Sequence, residues 1–242
     1  MKCQICKEET EFEEYDTAKH KWYVCKYCTN AFSLPKKDVS YTQEFYDYFI
    51  NFGHIKKQSY VFQNFMLEME DIFEVDGFNF QDKKILDISG GNGHFVKKFE
   101  KFGARAYLTE INETVVKYAK NRLKIPAIVF DLNDKKNKLF EEEFDVILLR
   151  SCIMFCEDLS LLLKNLISRC HDKTLVVFYD CIPPLIKKMY QFENDDYIYR
   201  FFYDKEYLYK SFEENGFDVI QHDYRNALDK SVHYVLKVKK NG

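Results

Sequence analysis

From residue 83 onward, short apolar runs alternate with segments in which apolar residues recur every three or four positions. The runs KKILDIS, RAYLTE, PAIVFD, FDVILLR and TLVVFYD read as strands. HFVKKFEKF, ETVVKYAKNRL, LSLLLKNLISRC and DKEYLYKSFEENG read as helices. FDVIQHD and VHYVLKVKK close the chain as an antiparallel strand pair. Strands joined by helices imply right-handed βαβ crossovers and a largely parallel sheet. The apolar strands fit a sheet covered on both faces. Upstream, residues 41–75 carry Phe62, Phe65, Met66, Met69, Ile72 and Phe73 at helical spacing, interrupted near Gly53. Pro35 marks a boundary before them. The expected organisation is a small module over 1–34, a helical linker or cap over 35–80, and an α/β domain over 81–242.

Composition narrows the class. The chain has 242 residues, 46% hydrophobic and 31% charged, which is ordinary for a soluble globular protein with a real core. Aromatics reach 17%, so any single Phe or Tyr carries little information. Net charge is −3, and residues 1–37 hold seven Lys against six acidic residues. That lacks the basic stripe of a nucleic-acid binder and argues against RNA or DNA as substrate. No apolar run approaches the roughly 20 residues of a membrane span. MKCQICKEE has no apolar signal-peptide core. The cytoplasm is therefore expected, where Cys pairs read as metal or redox sites rather than disulfides.

Cys3, Cys6, Cys25 and Cys28 form C-x2-C-x18-C-x2-C. Each C-x2-C knuckle turns two thiolates toward one ion, and two knuckles complete a closed tetrahedral shell of four thiolates. WYV before Cys25 has strand character, which suits a zinc ribbon. A redox pair would be single and would precede a helix within a βαβ unit, and neither holds. A closed shell leaves no position for water, so the expected role of Zn2+ is structural. His20 is a spare ligand that four Cys make unnecessary. Cys152, Cys156, Cys170 and Cys181 lie in apolar segments and read as buried thiols, with no ligand spacing to join them to His171.

ILDISGGNGHF sits where the first strand of the α/β region turns into its first helix. Gly90, Gly91 and Gly93 permit a tight turn and close backbone approach to a ligand. The spacing is not a dinucleotide fingerprint, because position 96 is Val, and no Walker Lys is present. Glu110 ends the next strand, 17 residues after Gly93, where a carboxylate accepts ribose hydroxyls. Asp131 ends the strand after that, where it accepts from an adenine amine with Leu132 against the ring.

LDISGGNG, YLTEIN, VFDLND, FDVILLRSCIMFCED and the ending ENGFDV…HYVLKVKK resemble the class I S-adenosylmethionine-dependent methyltransferases over roughly residues 83–240. The resemblance implies a Rossmann-like seven-stranded sheet. It also implies S-adenosylmethionine held by Asp87, Ser89, Gly90, Gly91, Gly93, Glu110, Ile111, Asp131, Leu132 and Arg150. Two departures stand out. Ser89 replaces the first Gly of D-x-G-x-G-x-G, and Ser151-Cys152-Ile153-Met154-Phe155 stands where one subset of the family has H-V-L-E-H. The acid–base roles of that His and Glu are not carried over. A four-cysteine module ahead of such a domain is similar to bacterial sugar methyltransferases, including those acting on nucleotide-linked deoxysugars. Those are often longer, so the resemblance implies a small polar acceptor rather than a particular sugar.

Methyl transfer needs an aligned acceptor, exclusion of water and, for oxygen or carbon acceptors, a base. The bases proposed from sequence are His54 in the helical segment and Tyr179 at the end of TLVVFYD. Tyr41, Tyr46, Tyr48, His94 and Asp180 are secondary candidates. PPLIKKMYQFENDDYIYRFFYD is long enough to cover the site. The expected activity is methyl transfer to a sugar or sugar-linked metabolite of surface-polysaccharide or natural-product synthesis. The alternatives are an RNA methyltransferase gripping substrate with its zinc module, and a non-catalytic cofactor-binding module.

Overall fold

The computed structural model describes residues 1–16, 20–35, 79–136, 138–181, 200–224 and 232–239. Its centre is a seven-stranded sheet. The strands are β4 (Lys84–Ile88), β5 (Arg105–Glu110), β6 (Ala127–Val129), β7 (Phe144–Arg150), β8 (Cys170–Cys181), β10 (Phe217–Tyr224) and β11 (Val232–Val238), in the order β10-β11-β8-β7-β4-β5-β6. β4 pairs in parallel with both β5 and β7, so the strand order reverses beside the glycine turn. β11 runs antiparallel to β8 and β10, in line with the strand pair expected at the end of the chain. This is the expected α/β, Rossmann-like seven-stranded sheet.

Among the described residues the α-helices are α1 (His94–Lys101), α2 (Glu113–Tyr118), α3 (Leu159–Ile167) and α4 (Lys205–Glu214). Three of their starts are written in side chains. Asn112 Oδ1 accepts from Val115 N–H at 3.0 Å, Asp158 Oδ1 from Leu161 N–H at 3.0 Å, and Asp204 Oδ1 from Glu206 N–H at 2.9 Å. Each satisfies a backbone donor that a helix otherwise leaves open.

Strand alternation splits the core in two. Leu86, Ile88, Ile147, Leu149, Val176 and Phe178 face α3 and α4 through Leu162, Leu166, Leu208 and Phe212. Ile85, Val146, Leu148, Leu175 and Val177 face α1 through Phe95, Val96 and Phe99. Burial on both faces explains the near-continuous apolar strands.

A second sheet is built from β1 (Phe12–Asp16), β2 (His20–Cys25), β3 (Ala31–Pro35) and β9 (Phe201–Phe202), in that order. β9 comes from the chain between β8 and α4. It pairs antiparallel with β3, and Phe202 stacks on Trp22 at 4.9 Å between centroids.

Three boundaries differ from the sequence expectation. The helix LSLLLKNLISRC stops at Ile167, because Cys170–Lys173 extend β8 to 12 residues. PAIVFD is strand only over Ala127–Val129, so Asp131 lies just beyond the sheet. ETVVKYAKNRL is helical but widens into a π-turn over Ala119–Leu123. The helical segment expected over 41–75 and most of the expected covering segment lie outside the described residues.

Candidate cofactor site and four-cysteine centre

Everything at the site begins where β4 stops. Ser89 (φ 54°), Gly91 (φ 61°) and Gly93 (φ 77°) take left-handed backbone conformations, folding the chain from strand into α1 within a few residues. Gly90 needs its missing side chain for another reason. A Cβ there would lie 2.5 Å from Leu108 Cδ1 and 2.6 Å from Asp87 Oδ2. The turn is tied to β5 by Ser89 N–H on Thr109 Oγ1 (3.3 Å) and Gly90 N–H on the Thr109 carbonyl (3.0 Å).

Asp87 is fully buried under this turn. Arg150, at the end of the neighbouring β7, donates from Nη2 to Asp87 Oδ2 at 2.7 Å and from Nε to Oδ1 at 3.3 Å. The guanidinium also lies 3.6 Å over the Phe95 ring of α1. A buried carboxylate requires such a partner. Arg150 therefore neutralises Asp87 and braces the loop rather than facing outward.

Glu110, nearly buried at the end of β5, accepts from Gly91 N–H through Oε2 (3.1 Å). Its Oε1 accepts from Ile111 N–H (2.8 Å) and Asn112 N–H (3.3 Å). Burial pushes its carboxyl above the usual value, and the three amides pull the other way. Asp131 Oδ1 accepts from Asn133 N–H at 2.9 Å. Leu132 is buried beside it, whereas Ile111 is 52% exposed at the same edge. Asp87, the glycine turn, Glu110 and Asp131 thus form one arc along the carboxyl ends of β4, β5 and β6. That is where ligands bind in an open α/β sheet.

The chain belongs to the methyltransferase domain family. The family model for a methyltransferase domain matches residues 58–222. The enzyme is an S-adenosylmethionine-dependent methyltransferase. No curated protein matches it in sequence. Among solved structures, it is similar to PH0226 from Pyrococcus horikoshii OT3 at 19% identity and TM-score 0.61, covering 82% of this chain and 100% of that one. It is similar to an S-adenosylmethionine-dependent methyltransferase from Mesorhizobium loti at 14% identity and TM-score 0.53, covering 67% and 93%. With OxaC it shares 13% identity and TM-score 0.53, over 66% of this chain but only 45% of OxaC. At these identities the likeness is one of fold.

Other residues of the methyltransferase meet this edge. Arg150 and Tyr179 are register partners across β7 and β8, and Ser151 N–H donates to the Tyr179 carbonyl at 2.9 Å. The Tyr179 ring lies parallel to that of His233 at 4.1 Å and 9°. Periodicity gave no sign of His233. A register shift between Val232 and Tyr234 adjusts its pairing with β8. Cys152 is buried next to Asp87, and burial with that charge pushes its thiol up to about 12, so it stays protonated. Burial, and then the nearby Lys98 charge, lower the His94 pKa below its ordinary value, and its Nε2 is buried without a hydrogen-bond partner among the described residues. The candidate base His54 lies outside the described residues, as do Tyr41, Tyr46 and Tyr48.

Cys3, Cys6, Cys25 and Cys28 converge, with all four Sγ atoms within 4.8 Å of one another. The Cys3–Cys28 and Cys6–Cys25 sulfurs are 3.9 Å apart. A tetrahedral Zn2+ with Zn–S of about 2.3 Å needs sulfurs about 3.8 Å apart, whereas a disulfide needs about 2.05 Å. The residues therefore fit a metal. Backbone amides already point at the sulfurs, Ile5 N–H at Cys3 Sγ (3.4 Å) and Cys28 N–H at Cys25 Sγ (3.4 Å). Such bonds stabilise thiolates, the form that binds metal. Cys152, Cys156 and Cys170 are free thiols outside this cluster.

Proposed function

We propose that this methyltransferase acts on a small polar acceptor, a sugar or sugar-linked metabolite of surface-polysaccharide or natural-product synthesis, in the cytoplasm. The observation that carries the reading is the arc of Asp87, the glycine turn, Glu110 and Asp131 at one sheet edge. S-adenosylmethionine supplies an electrophilic sulfonium methyl. In this reading Glu110 binds the ribose hydroxyls, exchanging its hold on Gly91 N–H for them. Asp131 accepts from the adenine amine, with Leu132 and the exposed Ile111 on the ring faces. Asp87, held by Arg150, fixes the turn that carries Ser89, Gly91 and Gly93 against the methionine end. The acceptor lies toward β8, where Tyr179, supported by His233, is the proposed base together with His54. The four-cysteine centre holds structural Zn2+.

A small acceptor is supported by the charge balance, which provides no basic stripe. It is also supported by the likeness to OxaC, whose structure holds S-adenosylhomocysteine and oxaline. The test is calorimetric titration of the zinc-loaded chain with S-adenosylmethionine and S-adenosylhomocysteine. Micromolar binding that Glu110→Ala and Asp131→Ala each weaken is expected. Mass-shift screening of nucleotide sugars then follows. Absence of binding in the folded wild type overturns the cofactor site. Binding with turnover only on RNA overturns the acceptor class.

A further inference from the structure

Asn30 follows the second Cys knuckle and is fully buried, with 0% of its surface exposed. A buried side-chain amide must satisfy both its ends. Its Nδ2 donates to Cys28 Sγ at 3.2 Å. Its Oδ1 accepts from Asp204 N–H at 2.6 Å, across 174 residues of chain. Its own carbonyl accepts from Cys25 N–H at 2.9 Å. One residue therefore joins a metal-ligand thiolate to the capping residue of α4.

The connection continues to the cofactor edge. Ser33 N–H on β3 donates to the Arg200 carbonyl at 2.8 Å, and Arg200 N–H donates to the Met154 carbonyl at 3.2 Å. The Tyr203 hydroxyl donates to the Cys156 carbonyl. Met154 and Cys156 belong to the 153–157 turn, which follows Arg150, Ser151 and Cys152 out of β7. From the opposite side, Asn133 Nδ2 donates to the Phe155 carbonyl at 2.9 Å, and Asn133 Oδ1 accepts from Glu157 N–H at 2.7 Å. Asn133 is in turn held by Asp131, the acid of the adenine end. The turn is gripped on one side by the four-cysteine sheet and on the other by the cofactor arc.

We infer that Asn30 is a positioning residue that couples the two centres, so that metal on the four Cys and S-adenosylhomocysteine on the Asp87–Asp131 arc strengthen each other's binding through the 153–157 turn. This rests on the metal and cofactor readings given above. Coupling between sites is reciprocal, and typical values are about 5- to 150-fold. A scaffold that merely folds the N-terminus would stabilise the chain without making metal affinity depend on the cofactor.

The experiment uses the full chain with Co2+, read by its thiolate charge-transfer band in competition with a chelator, with and without S-adenosylhomocysteine. The wild type is expected to hold Co2+ about fivefold more tightly or better when S-adenosylhomocysteine is bound. Asn30→Ser is expected to bring that ratio to near one while both ligands still bind. Asn30→Asp keeps the acceptor for Asp204 N–H but loses the donor to Cys28, so it is expected to lose the coupling and to shift the charge-transfer band. Amide exchange of wild-type residues 153–157 with metal present and removed gives a measurement free of mutation, and faster exchange without metal is expected. Equal chelator midpoints with and without S-adenosylhomocysteine overturn the inference, as does full coupling in both variants. A wild type without the Co2+ band removes the metal reading instead. A wild type with the band but no heat on titrating S-adenosylhomocysteine removes the cofactor reading.

Discussion

Ser89→Gly separates the cost of the turn from its use. Ser89 holds φ at 54°, a conformation that a residue with a Cβ adopts only at a cost of about 1–2 kcal/mol. Glycine removes that cost but loosens the unfolded chain, returning about 0.4–1 kcal/mol. Both backbone hydrogen bonds at the turn are main-chain donors, from Ser89 N–H to Thr109 Oγ1 and from Gly90 N–H to the Thr109 carbonyl, and both survive the change. Measured against alanine, which keeps the strain and equally lacks the hydroxyl, glycine is expected to gain roughly 0.5–1 kcal/mol, equivalent to about 1–4 °C in Tm for a chain of this length. The hydroxyl itself interacts with the buried Cys152 thiol, two residues beyond the Arg150 that holds Asp87. Ser89→Ala keeps the backbone strain and loses only the hydroxyl, so it isolates that second contribution. Thermal unfolding and calorimetry with S-adenosylhomocysteine on the three proteins give the answer. Glycine is expected to melt above alanine, and both are expected to bind S-adenosylhomocysteine several-fold more weakly than serine, the value of one hydrogen bond from the hydroxyl to the bound molecule. A glycine variant that melts below the alanine variant refutes the strain argument. An alanine variant with unchanged affinity refutes any use of the hydroxyl.

Arg150→Leu leaves Asp87 buried without its bidentate partner, and is expected to cost about 3–5 kcal/mol by denaturant unfolding, against almost nothing if the pair were a surface contact. Gly90→Ala places a Cβ 2.5 Å from Leu108 and 2.6 Å from Asp87, so a loss of about 1–3 kcal/mol is expected, with weakened S-adenosylhomocysteine binding by calorimetry. Glu110 has a folded pKa raised by burial above its ordinary 4.5. The native state then binds more protons than the unfolded state between those values, so this group's contribution to stability falls as pH rises through that window. Glu110→Gln is expected to remove that slope, and identical stability–pH curves for the two proteins on the acid side would exclude it.

What the sequence disclosed and what it hid divide along a physical line. Local chemistry was legible. Strand and helix periods located β4, β5, β7 and α1 closely, because burial on both faces or one stripe writes itself into apolar spacing. The Cys knuckles predicted convergence because two C-x2-C pairs at this spacing match a common metal-ligand pattern. Glu110 ends β5 as its strand pattern implies, whereas Asp131 lies beyond the short β6, and Asp87 was singled out by the family resemblance rather than by period. Long-range pairing was not legible. Nothing in the phenylalanines at 201 and 202 distinguishes a two-residue strand from a loop in a chain with 23 Phe. Arg150 showed only that it ends a strand, since its bond to Asp87 depends on β7 lying next to β4. His233 required a register shift that alternation does not encode.

The missed strand changes what the four-cysteine module is. Read along the chain, residues 1–34 precede the α/β domain and look separable from it. In the fold, β9 completes their sheet from 166 residues beyond β3, counted from Pro35 to Phe201, and the Asn30–Asp204 bond adds a second tie. The cluster Cys3, Cys25, Phe32, Phe201, Tyr203 and Leu208 is continuous with the main core. A metal on the four Cys would therefore fix the platform on which a loop through most of the chain closes, and not only a loop within the first 34 residues. Closing a long loop costs more entropy than closing a short one, though the cost grows only logarithmically. The larger consequence is geometric. The turn after β7 is hydrogen-bonded from two directions at once, by Asn133 next to Asp131 and by Arg200 and Tyr203 next to the four-cysteine sheet, and the proposed coupling rests on that geometry.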